Sequence, residues 1–196
     1  PRHEGHGNEA GRPPRPQGRA RRHRRRRAPP APPHPGRLKR LRVTVLSVAH
    51  RMPAWIAEGW SEYARRLPPE IRLELAEIKP EERHSGRTVQ KAMALEGEKL
   101  LAAVPAGGTL IALDERGRAL TTAGLSVMLA GWMREGSHPV FAIGGADGHD
   151  EAVRQKADKL VALSGLTLPH GLVRVLLAEQ LYRAWSILAN HPYHRE

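Results

Sequence analysis

The chain has 196 residues with a formal net charge of +12, and it contains no cysteine. That length allows one well-packed domain, or one domain plus a tail. The missing cysteine excludes disulfides, thiolate zinc sites and cysteine nucleophiles, which fits a cytoplasmic protein, and no apolar run approaches the roughly 18 residues of a membrane span.

The charge is unevenly placed. Residues 1–40 hold 13 of the 32 basic residues and two of the 20 acidic ones, Glu4 and Glu9, so the rest of the chain is nearly neutral. Bulk charge therefore gives no nucleic-acid argument for that rest. Residues 1–40 are rich in Pro, Gly and Arg, with Leu38 the only large aliphatic residue. They cannot bury enough apolar surface to offset ordering entropy, so a disordered extension is expected. The run Arg19–Arg27 has the charge to bind RNA electrostatically. The alternative is a mis-assigned start, because an ordinary domain begins near Leu41, and that onset favours the alternative.

From Leu41 the pattern alternates strand and helix. Val43–Ala49 is a short β-branched apolar run. Pro53 suits a first helical turn, and a helix from Trp55 to Arg66 stops at Pro68 and Pro69. Ile71–Ile78 alternates as a strand with one wetter face, and residues 79–87 form a charged loop. A helix over Thr88–Val104 ends at Pro105. Thr109–Leu113 is a buried strand that runs into Asp114 and a turn, Glu115–Arg118. Thr121 or Thr122 then caps a helix to Glu135. Pro139–Ile143 is a strand followed by Gly144–Gly148. A helix over Asp150–Ala157, a strand over Lys159–Leu163, an uncharged loop and a long final helix complete the domain. The expected fold is α/β, with a mostly parallel sheet covered by helices on both faces.

Ligands of open α/β sheets bind beyond the carboxyl ends of strands. Three loops qualify: Leu113 with Asp114, Gly144–Gly148, and Leu163–Leu168. Gly144 and Gly145 allow close backbone approach, although an ordinary βα turn uses the same residues. They form neither a dinucleotide fingerprint nor a P-loop. The Leu163–Leu168 stretch carries no charge, so it should be buried or should wall an apolar pocket. An adenine ring would suit it better than a heavily phosphorylated ligand.

The final helix places Val173, Leu176, Leu177, Leu181, Ala184, Trp185 and Leu188 on one broad stripe. Most of that stripe is core, and so wide a face on a terminal helix also suits a second subunit. Glu179 and Arg183 are expected to form an exposed i,i+4 pair. His191 and His194 lie three apart with Pro192 between them and no obvious third ligand, so no metal is expected. Tyr193, His194 and Arg195 instead offer stacking, proton exchange and phosphate contact. On residue types alone, that reading and a frayed polar end both stay open.

Residues 41–196 resemble the ribosomal large-subunit pseudouridine methyltransferase H family of the SPOUT superfamily. The resemblance rests on Met52, Pro53 and Trp55; Glu62, Tyr63, Arg65 and Arg66; Leu113 and Asp114; and Ile143, Gly144, Gly145 and Gly148. It continues through Leu163, Ser164, Leu166, Thr167, Leu168 and His170, then Val173–Leu176, Glu179–Ala184 and the ending Asn190–Glu196. Ala49, Ala146 and Asp147 depart from the family's usual Gly and Pro-Glu. No counterpart of residues 1–40 is recognised.

The resemblance implies a homodimer with a deep C-terminal trefoil knot, an exception to unknotted topology. It implies methylation of N3 of a pseudouridine in helix 69 of 23S rRNA on the assembled ribosome, with S-adenosylmethionine as cofactor. The cofactor contacts would be Leu113, Gly144, Leu163, Ser164, Gly165, Leu166, Thr167 and Leu168. His194 would act as base or orienting group, with Tyr193 and Arg195 holding the nucleotide. Two other readings compete: a SPOUT methyltransferase acting on tRNA, and a non-catalytic RNA-binding protein working through the Arg run.

Overall fold

A computed structural model describes residues 40–82 and 88–194. The expectations for residues 1–39, for residues 83–87 of the charged loop and for Arg195 lie outside these described residues.

Five strands and five helices alternate. They are β1 (Leu41–Val48), α1 (Ala54–Arg66), β2 (Ile71–Ile78), α2 (Val89–Ala102), β3 (Gly108–Ala119), α3 (Thr122–Glu135), β4 (His138–Ile143), α4 (Glu151–Lys156), β5 (Lys159–Ala162) and α5 (His170–Leu188). The strands form one sheet in the order β2-β1-β4-β3-β5, with every pairing parallel. This is the expected α/β architecture.

Side chains alternate across the sheet and so build two cores. On one face Val43, Val45 and Phe141 pack with Trp60 of α1, Leu125 and Leu129 of α3, and Leu177 and Leu181 of α5. On the other, Leu46, Val48 and Ala142 pack with Leu100 of α2 and Val153 of α4. Side-chain caps start three of the helices. Thr88 accepts from the Lys91 amide, Thr121 from Gly124 and Asp150 from Val153, each satisfying an amide that the helix itself cannot. Gly136, at φ 77°, ends α3 in the left-handed conformation.

One element is longer than expected. β3 continues through the expected turn to Ala119, with a register shift between Leu113 and Arg118. Val161 of β5 pairs with both of those residues, and the Leu120 amide donates to the Ala162 carbonyl. The segment 114–117 therefore bulges around β5. Glycine is required at its tip, since a Cβ on Gly117 would lie 2.5 Å from the Val161 backbone. No helix among the described residues is long and apolar enough to cross a membrane.

Candidate functional site

The carboxyl ends of β3, β4 and β5 and the start of α5 surround a cleft of about 620 Å3, within the size range of small-molecule sites. Its apolar wall comes from Leu113, Ile143, Leu163, Leu166, Leu168 and Val173, and its polar groups include Ser164, Thr167, Asp114 and Asp147. Seven of the eight expected cofactor residues line it: Leu113, Gly144, Leu163, Ser164, Leu166, Thr167 and Leu168. Gly165 does not. It points outward, with nothing within 4 Å of where its Cβ would be. Leu166 leaves 76% of its surface exposed, an apolar area that a ligand in the cleft would cover.

Two features of the rim differ from the sequence expectation. Gly144 is glycine for an internal reason, because a Cβ there would sit 2.6 Å from the Gly148 carbonyl carbon. The loop closes on itself through the Gly148 amide, which donates to the Gly145 carbonyl. Asp114, next, is engaged: the Arg154 Nε donates to its Oδ2 at 2.8 Å and the Arg116 amide to its Oδ1 at 2.9 Å. Burial pushes the Asp114 carboxyl up, but these bonds and the Arg154 charge outweigh it, so it stays ionised below its usual value. Beneath the rim His149 is 2% exposed, with Nε2 3.2 Å from the Ala142 carbonyl oxygen. Burial is the main cause of its lowered pKa, and it is neutral.

The tail occupies a different place. Asn190, at φ 50°, follows α5 in the left-handed conformation, and the His191 amide donates to the Ser186 carbonyl. The chain thus reverses onto α5. Tyr193 donates its hydroxyl to Glu179 at 3.1 Å. Its ring lies 4.7 Å from the Tyr182 centroid and under the Arg183 guanidinium at 4.8 Å. Burial, a hydrogen bond with Tyr63 and the Glu179 charge raise its pKa, so it is a phenol at neutral pH. The expected exposed Glu179–Arg183 pair is corrected here. The Glu179 side chain is only 12% exposed and also accepts from Gln180, so it anchors the tail. Among the described residues His194 Nδ1 is buried without a hydrogen-bond partner.

Cleft and tail are not brought together. Neither Tyr193 nor His194 lines the cleft. Glu179 lies nine residues beyond His170 on α5, about 14 Å along the helix axis at its usual rise.

A family model described as predicted SPOUT methyltransferase matches residues 41–194. The chain belongs to the SPOUT methyltransferase family. Its relatives named ribosomal RNA large subunit methyltransferase H include that of Ralstonia pickettii (strain 12J), 59% identical over 155 residues. Those of Ralstonia nicotianae and Burkholderia multivorans are 57% and 56% identical. Each alignment covers 79% of this chain and 99% of the relative. The family resemblance read from the sequence is borne out, and so is S-adenosylmethionine as the methyl donor.

The cleft fits that cofactor. The leucines and Ile143 offer a slot for a flat adenine, and the acidic groups at the rim suit the cationic end. The sequence missed Glu179 as the tail's anchor, Arg154 as the partner of Asp114, and a fully buried Arg174. The one available signal for Arg174 was a charged residue set beside the apolar stripe of α5.

Proposed function

We propose that this chain methylates N3 of a pseudouridine in helix 69 of the large-subunit rRNA on the assembled ribosome. The observation that carries the reading is that one chain holds both a strand-end cleft and an anchored tail, and aligns with 99% of relatives named ribosomal RNA large subunit methyltransferase H.

The bound cofactor supplies a methyl group already activated by its sulfonium. The chain's task is mainly alignment, which can supply most of the rate, with a smaller share from proton transfer. Leu113, Leu163, Ser164, Leu166, Thr167 and Leu168 hold the cofactor. Gly144 acts through the shape of its loop, and Gly165 stands in the same loop without touching the ligand. Tyr193, fixed as a phenol by Glu179, orients the tail. His194, with an unpartnered ring nitrogen, takes the imide proton or orients the base, and Arg195 contacts a phosphate.

The chain acts as a homodimer. Trp55 is 57% exposed beside Gly59, and Leu172 is 38% exposed on the neighbouring helix, an apolar face suited to a second copy. Because cleft and tail stand apart within one chain, the second copy brings its tail to the cleft. The fold carries the deep C-terminal trefoil knot that the family resemblance implies. Residues 41–196 carry 19 basic and 18 acidic residues, so recognition depends on the assembled dimer and on ribosomal contacts more than on bulk charge. The test compares methyl transfer to assembled ribosomes and to short naked RNA. Transfer to ribosomes is expected, and equally strong transfer to naked RNA contradicts the reading.

A further inference from the structure

Glu96 is 2% exposed, in the helix α2 that packs on the Val48 face of the sheet. One of its carboxylate oxygens, Oε1, accepts from the Glu81 amide at 2.9 Å. The other, Oε2, lies against Gly145, where a Cβ would sit 2.7 Å from it. Gly145 lines the cleft and Glu96 does not. The carboxylate therefore stands directly behind the cleft rim, and it is bonded at the same time to the chain just beyond β2.

The next residue of α2 makes a matching contact. A Cβ on Gly97 would run into the Asp150 carboxyl group, and Asp150 caps α4 by accepting from the Val153 amide. Two adjacent residues of α2 thus meet the two ends of the rim loop, Glu96 at Gly145 and Gly97 at Asp150. Between them the loop is closed by the Gly148 amide, which donates to the Gly145 carbonyl. Gly145 does not take the left-handed conformation, so glycine is required there by space, and Glu96 is the nearest group that takes the space. A buried carboxylate, even a paired one, seldom stabilises more than an apolar side chain of the same size. Packing alone therefore does not explain a glutamate behind the rim.

Resting on the S-adenosylmethionine reading of the cleft, we propose that Glu96 is a buried positioning residue for the cofactor. It does not touch the ligand. It holds the Gly145 backbone at the depth the cleft needs, and its bond to Glu81 makes the rim and the start of the β2–α2 connection move as one unit. A ligand that settles on the rim therefore also steadies Glu81, which stands outside the cleft. A displaced rim costs affinity even when the fold is intact, because a site works only while its backbone is held in the productive geometry.

The test is calorimetry of S-adenosylmethionine on the full chain, at a temperature where denaturant unfolding shows each variant folded, together with amide hydrogen exchange. Glu96→Ala should bind about tenfold more weakly or worse, the scale of losing a hydrogen bond to a charged group. Glu96→Gln keeps the shape and an acceptor for the Glu81 amide, and should stay within about threefold of the wild type. Gly145→Ala should lose affinity as Glu96→Ala does. Adding Glu96→Asp, which withdraws the carboxylate, should restore part of that loss. In the wild type, exchange at the Glu81 amide should slow when S-adenosylmethionine binds. A folded Glu96→Ala that binds as the wild type does, or a Gly145→Ala defect that Glu96→Asp leaves untouched, overturns the proposal. Should Glu96→Ala fail to fold, the wild-type exchange decides, and a Glu81 amide indifferent to the ligand overturns it. Failure of the wild type to bind S-adenosylmethionine would instead overturn the cofactor reading itself.

Discussion

Tyr193 donates its hydroxyl hydrogen to Glu179, fourteen residues earlier, at 3.1 Å. Arg183 donates twice to the same carboxylate oxygen, and Gln180 donates to the other. One buried carboxylate therefore holds the reversed tail against α5. Glu179→Ala should leave the tail protease-sensitive and lower stability by about 2 kcal/mol, the range for stranding buried donors. Tyr193→Phe should lower it by about 1 kcal/mol. Denaturant unfolding and limited proteolysis measure both. Equal stability of wild type and Glu179→Ala would contradict the anchor.

Leu166 and Gly165 are neighbours with opposite expectations. Leu166→Ala removes apolar surface that only a ligand covers, at about 0.8 kcal/mol for each buried methylene. Cofactor affinity should fall roughly tenfold or more on that scale, with unfolding unchanged. Gly165→Ala meets open space and should leave affinity intact. Calorimetry on the two variants checks the pair, and a larger effect at Gly165 would reverse the assignment.

Asp114→Asn should cost about 2 kcal/mol at neutral pH by leaving the partly buried Arg154 with only its longer contact to Glu151, at 3.7 Å. The folded Asp114 pKa is lowered, so its stabilisation is present above the unfolded value and is lost as pH falls through the folded one. That window lies below about pH 4. Urea unfolding against pH should show a shallower acid limb in the variant, and identical limbs would count against the pairing.

Three histidines act in the same direction at higher pH. Burial leads the lowering of the pKa at His138, His149 and His170. A histidine lowered in the folded state stabilises fully above its unfolded value, near 6.5, and loses that stabilisation as pH falls through the folded value. Stability should decline from pH 7 to pH 5, and His149→Gln should decline less steeply. Urea midpoints at the two values measure this. A flat wild-type profile contradicts it.

Much of the fold was legible because it is written locally. Apolar runs such as Val43–Ala49 and Pro139–Ile143 mark the buried strands, and Thr88, Thr121 and Asp150 mark helix starts. What was missed depends on partners distant in sequence. The charged stretch Glu115–Arg118 looks like a turn until Val161 supplies an edge for it. Glu179 looks like half of a surface pair until Asn190 turns Tyr193 back onto it. Gly144 lines the cleft as expected, and its closeness to Gly148 is a second reason for glycine that the sequence did not show. The cleft was found from strand ends. The separation of cleft and tail could not be, because a linear sequence does not say where a reversed tail lands.

The central claim is tested most directly by incubating the protein with S-adenosylmethionine and ribosomes that lack the modification, then mapping methylated nucleotides by mass spectrometry of rRNA digests. One added methyl on N3 of a pseudouridine in helix 69 of the large-subunit rRNA is the expected result. No transfer to ribosomes, or transfer to tRNA instead, would contradict the account.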